Sequence, residues 1–422
     1  MLESVEDDKL IFLNKVRMRL FSFLFLPFVF LITSPSNFGS DSNPIVIGSI
    51  EGSLSRKQIP VDLGKTSKAI ASRIGRAIEL HGGLRLSPPS SSLYSLTFTP
   101  TGSEGVRVQI LKGNPKSPFA NFSCSKESLA LSIAEGCDKF VEKSLGIPGF
   151  FSGQVAYLSA LSGNKEVFIS DAMMSSARPQ TSFKKITFNP SWANNGSGVF
   201  FTSNRQVFNN IYFLSFADRK ISTIANYRGS NLSAVQNPRS SQIALILSTS
   251  GNPELWISST PKSKPSRLTR NKSNESGPTW SPDGRRILLT SDARGKPQIY
   301  EVSISTGILT RIPTNVSSHC TEPAWNPRYP NKFAFTAAIS GGFQVCEYDF
   351  DARKTKILTK GTVHHMQPCW ANDGRHIFLT QRTSTGATRI MLLDTEFDEA
   401  KAIPLHNENF GNCSQVSFYY PN

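Results

Sequence analysis

Residues 277–313, from Gly277 to Pro313, read GPTWSPDGRRILLTSDARGKPQIYEVSISTGILTRIP and hold one complete structural unit. Pro278-Thr279-Trp280 opens a short strand and Pro282-Asp283-Gly284 turns it, because proline presets the φ of a turn and glycine accepts the positive φ that follows. Ile287 to Thr290 runs back and Ser291 to Pro297 is a polar loop. Gln298 to Ile304 is a third strand, and Thr306-Gly307 turns into a fourth, Ile308 to Ile312. Four short antiparallel strands make a sheet too small to bury its own faces, so such a unit must stack on copies of itself.

The tryptophans mark the copies. Trp280, Trp325 and Trp370 stand 45 residues apart, and Trp192 lies 88 before Trp280, two periods of 44. The vacant slot falls in Ser233-Ala-Val-Gln-Asn-Pro-Arg, patterned like Ala324-Trp-Asn-Pro-Arg, and holds Gln236. Five units therefore begin near 192, 236, 280, 325 and 370. A period near 45 with four strands per unit is the pattern of a β-propeller. Val155 to Leu158 and Glu166 to Ser170 precede the first tryptophan as an incomplete blade, and Gln415 to Tyr420 is an aromatic strand left over at the other end. Joining the two in one blade removes both sheet edges and gives six blades.

Ahead of the propeller the pattern changes. Leu20 to Ile32 is an apolar run of 13 residues behind Lys15, Arg17 and Arg19, with small residues from Ser34 to Ser40. That is the form of a secretory signal, too short to span a membrane. The acidic opening Glu3 to Asp8 does not suit a signal, so Met18 is the better start, and the mature chain is expected to begin between Ser36 and Asp41. Ile45 to Gly48 reads as a strand and Thr66 to Leu80 as a helix. Leu93 to Thr99 and Val106 to Lys112 form a hairpin. A second helix is expected over Lys126 to Lys143, capped by Ser125. The organisation is thus a signal over 1–40, a small α/β domain over 41–149 with a hinge at Gly146 to Gly149, and a six-bladed propeller over 150–422.

The net charge is +15, and residues 1–40 hold four bases and four acids, so the body carries all of the excess. Acidic partners are favoured. The bases are scattered through loops rather than clustered, which argues against nucleic acid. Catalysis by an attached serine hydrolase requires a Gly-x-Ser-x-Gly elbow, and none occurs. His364-His365 lie on a strand and point to opposite faces, so they cannot share one metal ion. The Asp-Gly turns at Asp283 and Asp373 lack calcium-loop spacing. No cofactor motif is present. Six cysteines allow fifteen pairings. Cys124 and Cys137 are expected about 20 Å apart along a helix, beyond disulfide reach.

Within a blade the inner strand carries the tryptophan and the next strands alternate in direction. The loops entering the inner strands and those joining strands two and three therefore share a face. Glu275, Ser276, Thr321, Glu322, Met366 and Gln367 fall at one point of three successive blades and are expected to ring the channel mouth, with Arg294 on a neighbouring loop. Glu275 and Glu322 would serve as acceptors there. The Asp-Gly turns fall on the opposite face.

The junction Leu145-Gly-Ile-Pro-Gly-Phe-Phe with Val155-Ala-Tyr, the unit Gly277-Pro-Thr-Trp-Ser-Pro-Asp-Gly, Thr290 to Tyr300, Thr321-Glu-Pro-Ala-Trp325 and the aromatic last strand together resemble the TolB family of the Tol–Pal envelope system. The chain departs from it at Gly153-Gln154, at the missing third tryptophan and at Asn326-Pro-Arg. The resemblance implies a periplasmic, non-enzymatic, monomeric scaffold, peripheral to the outer membrane. Its propeller would bind a peptidoglycan-associated lipoprotein (Pal), and the arm around Ser42, Asn43 and Pro44 would bind a TolA-like inner-membrane protein. Such a scaffold supports outer-membrane integrity and constriction at division. A second class, an extracytoplasmic carbohydrate- or small-ligand-binding propeller with or without lyase activity, would need aromatics flanking Glu275 and Glu322.

Overall fold

Trp192, Trp280, Trp325 and Trp370 each end the innermost strand of a four-stranded antiparallel sheet, so the period read along the chain is the period of the blades. The computed structural model describes residues 58–396 and 401–421, which belong to one unit, Leu54–Asn422. The expected signal, the expected strand at Ile45 and the expected arm at Ser42, Asn43 and Pro44 lie outside the described residues.

Six blades form the ring. Blade 2 starts at Thr187–Trp192, blade 3 at Asn231–Gln236, blade 4 at Glu275–Trp280, blade 5 at Cys320–Trp325 and blade 6 at His364–Trp370. Blade 1 takes its inner strand from the end of the chain: Cys413–Tyr419 pairs with Gln154–Ser159, followed by Glu166–Asp171 and Arg178–Pro179. The second strands are apolar at their centres, as in Ile243–Leu247 and the Ile287, Leu288 and Leu289 of Arg286–Ser291, because both of their faces are covered by neighbouring blades.

The tryptophan indoles tie each blade to the one before. Trp280 Nε1 donates to Val235 O (2.9 Å), Trp370 to Ala324 O (3.0 Å) and Trp192 to Ser417 O (3.0 Å), the last across the closure of the ring. Trp192 also stacks on Tyr419. Trp325 departs, donating to Pro330 O within its own loop. The two Asn-Pro-Arg variants have a use: Asn237 donates to Gly284 O (2.9 Å) and Asn326 to Gly374 O (2.8 Å), each clasping the Asp-Gly turn of the following blade.

The N-terminal domain has a five-stranded sheet with Ile59–Asp62 parallel to both Leu84–Leu86 and Tyr94–Thr101, continued by Gly105–Lys112 and Ser117–Ser125. Helices α1 (Lys68–Leu80) and α2 (Leu129–Leu145) accompany it. Helix α2 starts one turn later than expected. Its cap is Ser128, which accepts from Leu131 N, because Lys112 is followed by a third strand that runs on to Ser125. Cys124 therefore sits in that strand and Cys137 in α2, which packs back against it, so the stretch between the two is not one continuous helix. The basis of the 20 Å estimate fails, although both thiols are buried and unbridged.

The segment expected to be a hinge is pinned. Asp138 of α2 accepts from Phe151 N (2.7 Å), from Ser152 N (2.9 Å) and Oγ, and from Tyr420 Oη (3.0 Å), joining helix, propeller entry and chain end. Burial holds its carboxyl up at about 6 despite these donors. Beside it, His81 at the end of α1 meets blade 6. His376 Nδ1 lies 2.6 Å from Asp373, and Arg375 grips Asp394 with two bonds of 2.7 and 2.6 Å. Gly82 has to be glycine, since a Cβ there would lie 2.4 Å from Asp394 Oδ2.

Three outcomes are expected. Trp280→Phe removes the donor from the half-buried Val235 carbonyl and should cost about 1 kcal/mol, read as a lower urea midpoint. Removing residues 413–422 deletes a whole inner strand and should lower the midpoint much further; equal midpoints would show that the last strand does not close the ring. Burial alone would lower the His376 pKa, but Asp373 and Asp394 hold it up at about 9. Its contribution is then fully present below pH 6.5 and lost as pH rises through 9, of order 3 kcal/mol at most. Urea midpoints from pH 6 to 10 should fall more steeply for the native chain than for His376→Gln.

Candidate functional site at the channel mouth

The inner strands share a bulge. At one position of five of them the backbone turns left-handed, at Asn189, Gly277, Glu322, Gln367 and Gln415, with φ of 51° to 58°. Such a conformation is costly for Glu and Gln. A threonine on the second strand of the preceding blade compensates by accepting the freed N–H. Thr290 accepts from Glu322, Thr336 from Gln367 and Thr380 from Gln415, each at 3.1 Å. The side chains complete the belt: Glu322 Oε2 accepts from Gln367 N (2.9 Å) and Gln415 Oε1 from Asn189 N (2.7 Å). The belt lapses at Gly277, which has no side chain. Inside lies a cavity of ≈ 330 Å³ lined by Asn189, Ser233, Gly277, Glu322, Gln367 and Gln415 among others.

A second repeated device holds the mouth loops. Glu166, Asn210, Glu254, Gln298 and Gln344 occupy the start of the third strands, and their buried side chains bind the loop that leads into the next blade. Glu166 accepts from Lys184 N (2.8 Å), Glu254 from Asn271 N (2.8 Å), and Gln344 donates to Gly361 O (2.8 Å) and Val363 O (3.0 Å). These positions recur every 44 to 46 residues. That polar period is a second signal in the sequence, weaker than the tryptophans because Glu, Gln and Asn alternate in it.

The structure sorts the expected site residues. Ser276 and Arg294 are exposed, and Thr321, Met366 and Gln367 are half-buried at the rim. Glu322 sits in the channel wall with one oxygen taken by the belt. Glu275 does not present an acceptor. It is 1% exposed and binds Leu255 N, Thr269 Oγ1 and Asn271 Nδ2 at 2.6 to 2.9 Å, and burial holds its carboxyl above the usual carboxylate range. It braces the loop of the preceding blade. His364 and His365 also part company: His364 Nδ1 accepts from Phe343 N, whereas His365 is buried against Gln344 and Gln381.

With the acids drawn inward, the charge of the mouth face is basic. Lys184, Lys185, Arg205, Arg228, Lys272 and Arg294 are exposed there, with Glu408 among them. The Asp-Gly turns lie on the opposite face, and those of blade 6 meet the N-terminal domain. At that junction His81, His376 and Asp394 bring three ligand atoms within 4.8 Å. Gly83 N donates to His81 Nδ1, His376 Nδ1 faces Asp373, and Arg375 takes both Asp394 oxygens, while the buried Nε2 atoms of His81 and His376 have no hydrogen-bond partner. Two carboxylates balance a guanidinium and an imidazolium, which is the charge balance of a latch.

A six-bladed ring closed by its own last strand, with an α/β domain on one face and a braced polar mouth on the other, defines the class of the molecule. Residues 141–415 match the TolB beta propeller domain, and the chain belongs to that family. The Tol-Pal system protein TolB of Bordetella pertussis is 26% identical over 216 residues, 50% of this chain and 49% of that protein. The same protein of Francisella tularensis subsp. tularensis is 28% identical over 272 residues, 61% and 62% of the two chains. The chain thus spans about half to six-tenths of the length of these relatives. The crystal structure of TolB from Acinetobacter baumannii superposes with a TM-score of 0.75 at 18% identity, covering 86% of this chain and 96% of that one, and shows the shared fold. Among the described residues no helix is long and apolar enough to cross a membrane.

Glu275→Ala should therefore act on stability. Losing the acceptor for three buried donors is expected to cost about 1–3 kcal/mol in urea unfolding, whereas Ser276→Ala beside it should stay within about 0.5 kcal/mol. Equal midpoints would return Glu275 to the binding surface.

Proposed function

We propose that this chain is an exported scaffold of the Tol–Pal envelope system, acting in the periplasm without catalysis. The channel mouth binds a peptidoglycan-associated lipoprotein. The arm containing Ser42, Asn43 and Pro44 engages a TolA-like inner-membrane protein, adding a strand to that partner's sheet. Through both contacts the chain supports outer-membrane integrity and constriction at division, working as a monomer peripheral to the outer membrane. Membership of the TolB family supports the system. The observation that carries the binding site is the mouth itself, a wide polar rim whose loops are held by buried side chains before any partner arrives. Rigid loops lose little freedom on docking, which favours protein binding on a wide rim. Exposed bases on that rim suit an acidic partner surface.

The test is binding of the lipoprotein's periplasmic domain. Thr321→Arg and Arg294→Glu should weaken it by roughly tenfold or more, as expected for central contacts, with unchanged unfolding midpoints. Glu322→Lys should weaken binding and stability together, because it breaks the belt. Asp283→Lys on the opposite face should leave binding intact; if that change is the damaging one, the binding face is the wrong one.

A further inference from the structure

The mouth of blade 2 differs from the rest of the rim. Its second and third strands, Gly198–Gln206 and Phe208–Ser215, are joined by a tight hairpin with Val207 at its tip. Val207 is 82% exposed, Phe208 69% and Ile186 on the adjoining loop 60%. Val207 also has a φ of 82°, a conformation that β-branched residues seldom adopt. Strained backbone and exposed apolar side chains at one place are the marks of a contact surface.

The knob is rigid. Asn204 exchanges hydrogen bonds with Ile186 (3.2 and 3.0 Å), and Val207 N donates to Asn204 O (3.1 Å). The Arg205 guanidinium lies 4.5 Å from the ring centre of Phe183 and 5.3 Å from that of Tyr212. Tyr212 Oη donates to Gln206 Oε1 (3.3 Å). The apolar tip is therefore presented in one shape by the scaffold beneath it. Its surroundings carry one sign of charge. Lys184, Lys185 and Arg205 flank it and Arg228 stands on the loop into blade 3, while residues 182–187, 203–210 and 226–230 contain no Asp or Glu.

We infer that Val207, Phe208 and Ile186 form an off-axis anchor that seats in an apolar depression rimmed by carboxylates on the protein bound at the mouth. The charge complementarity fixes the occupant as an acidic protein surface: the bases pair with the rim while the tip fills the depression. The contact extends the partner's footprint from the channel axis to blade 2 and fixes its rotation about that axis, which a ring of near-equivalent loops alone would leave undetermined. This rests on the mouth being the docking face.

Binding of the periplasmic domain of the peptidoglycan-associated lipoprotein from the same organism, measured by biolayer interferometry, tests it. Phe208→Asp and Val207→Asp should each weaken binding by roughly tenfold, the effect of removing a central apolar contact. Lys184→Glu with Lys185→Glu should slow association and flatten its dependence on salt. Ile308→Asp, an equally exposed apolar residue on the opposite face, should change nothing. Each variant is compared at matched unfolding midpoints. If Thr321→Arg weakens binding while the blade 2 variants do not, the anchor is overturned and the mouth stands. Absence of binding by the native chain removes both. Sedimentation with phosphatidylglycerol vesicles that is lost in Phe208→Asp would assign the knob to lipid and also overturn the anchor.

Discussion

An open sheet edge is a row of unpaired donors and acceptors, and a ring of blades built from one chain must begin and end somewhere. In this molecule the beginning and the end meet in blade 1, where Cys413–Tyr419 supplies the inner strand for Gln154–Ser159. Everything else depends on that pairing. The Trp192 indole needs Ser417 as its acceptor, and Gln415 passes the belt on to Asn189. Tyr420, just past the strand, completes the carboxylate clamp on α2. Closure therefore sets the ring and also the seat of the N-terminal domain.

Between blades the contacts fall into tiers. Indole N–H groups and the Asn-Pro-Arg clasps act toward the face that carries the domain. The left-handed belt with its threonine acceptors acts toward the mouth. The apolar second strands fill the space between. A missing tryptophan in blade 3 is tolerated because its neighbours are held by other tiers: Asn194 N donates to Gln236, which stands in the vacant slot, and Asn237 grips the next turn.

The same economy decides the chemistry of the two faces. Glu166, Glu254, Glu275 and Glu322 are used inside as acceptors for loops and bulges, where paired and hydrogen-bonded carboxylates are tolerable. Lysines and arginines on the same loops are left outside. A chain of net charge +15 thus shows a mouth more basic than its composition alone implies. On the opposite face the buried ion pairs of blade 6, His376 with Asp373 and Arg375 with Asp394, lie against His81, Gly82 and Gly83 of the α/β domain.

Sequence alone determined the blade count, the blade period and the sharing of blade 1, because tryptophan, Pro-Asp-Gly turns and strand period are local signals repeated at one spacing. The blades themselves start five or six residues ahead of 192, 236, 280, 325 and 370, the positions that mark the period and end the inner strands. It also determined which loops share a face, since strand direction alternates by necessity. It missed Ile59–Asp62, Leu84–Leu86 and Ser117–Ser125, whose short or polar runs become strands only beside a paired neighbour. It placed Glu275 correctly on the mouth side and misjudged its exposure. A carboxylate is drawn inward only when Leu255 N, Thr269 and Asn271 converge on it, and those donors come from the neighbouring blade. The latch at His376, the clamp at Asp138 and the belt have the same origin. The clamp and the belt join residues far apart in the chain, and the pairs around His376, though local, are covered by His81 from the other end of the molecule's sequence, so which polar groups end up buried and paired was decided by tertiary packing.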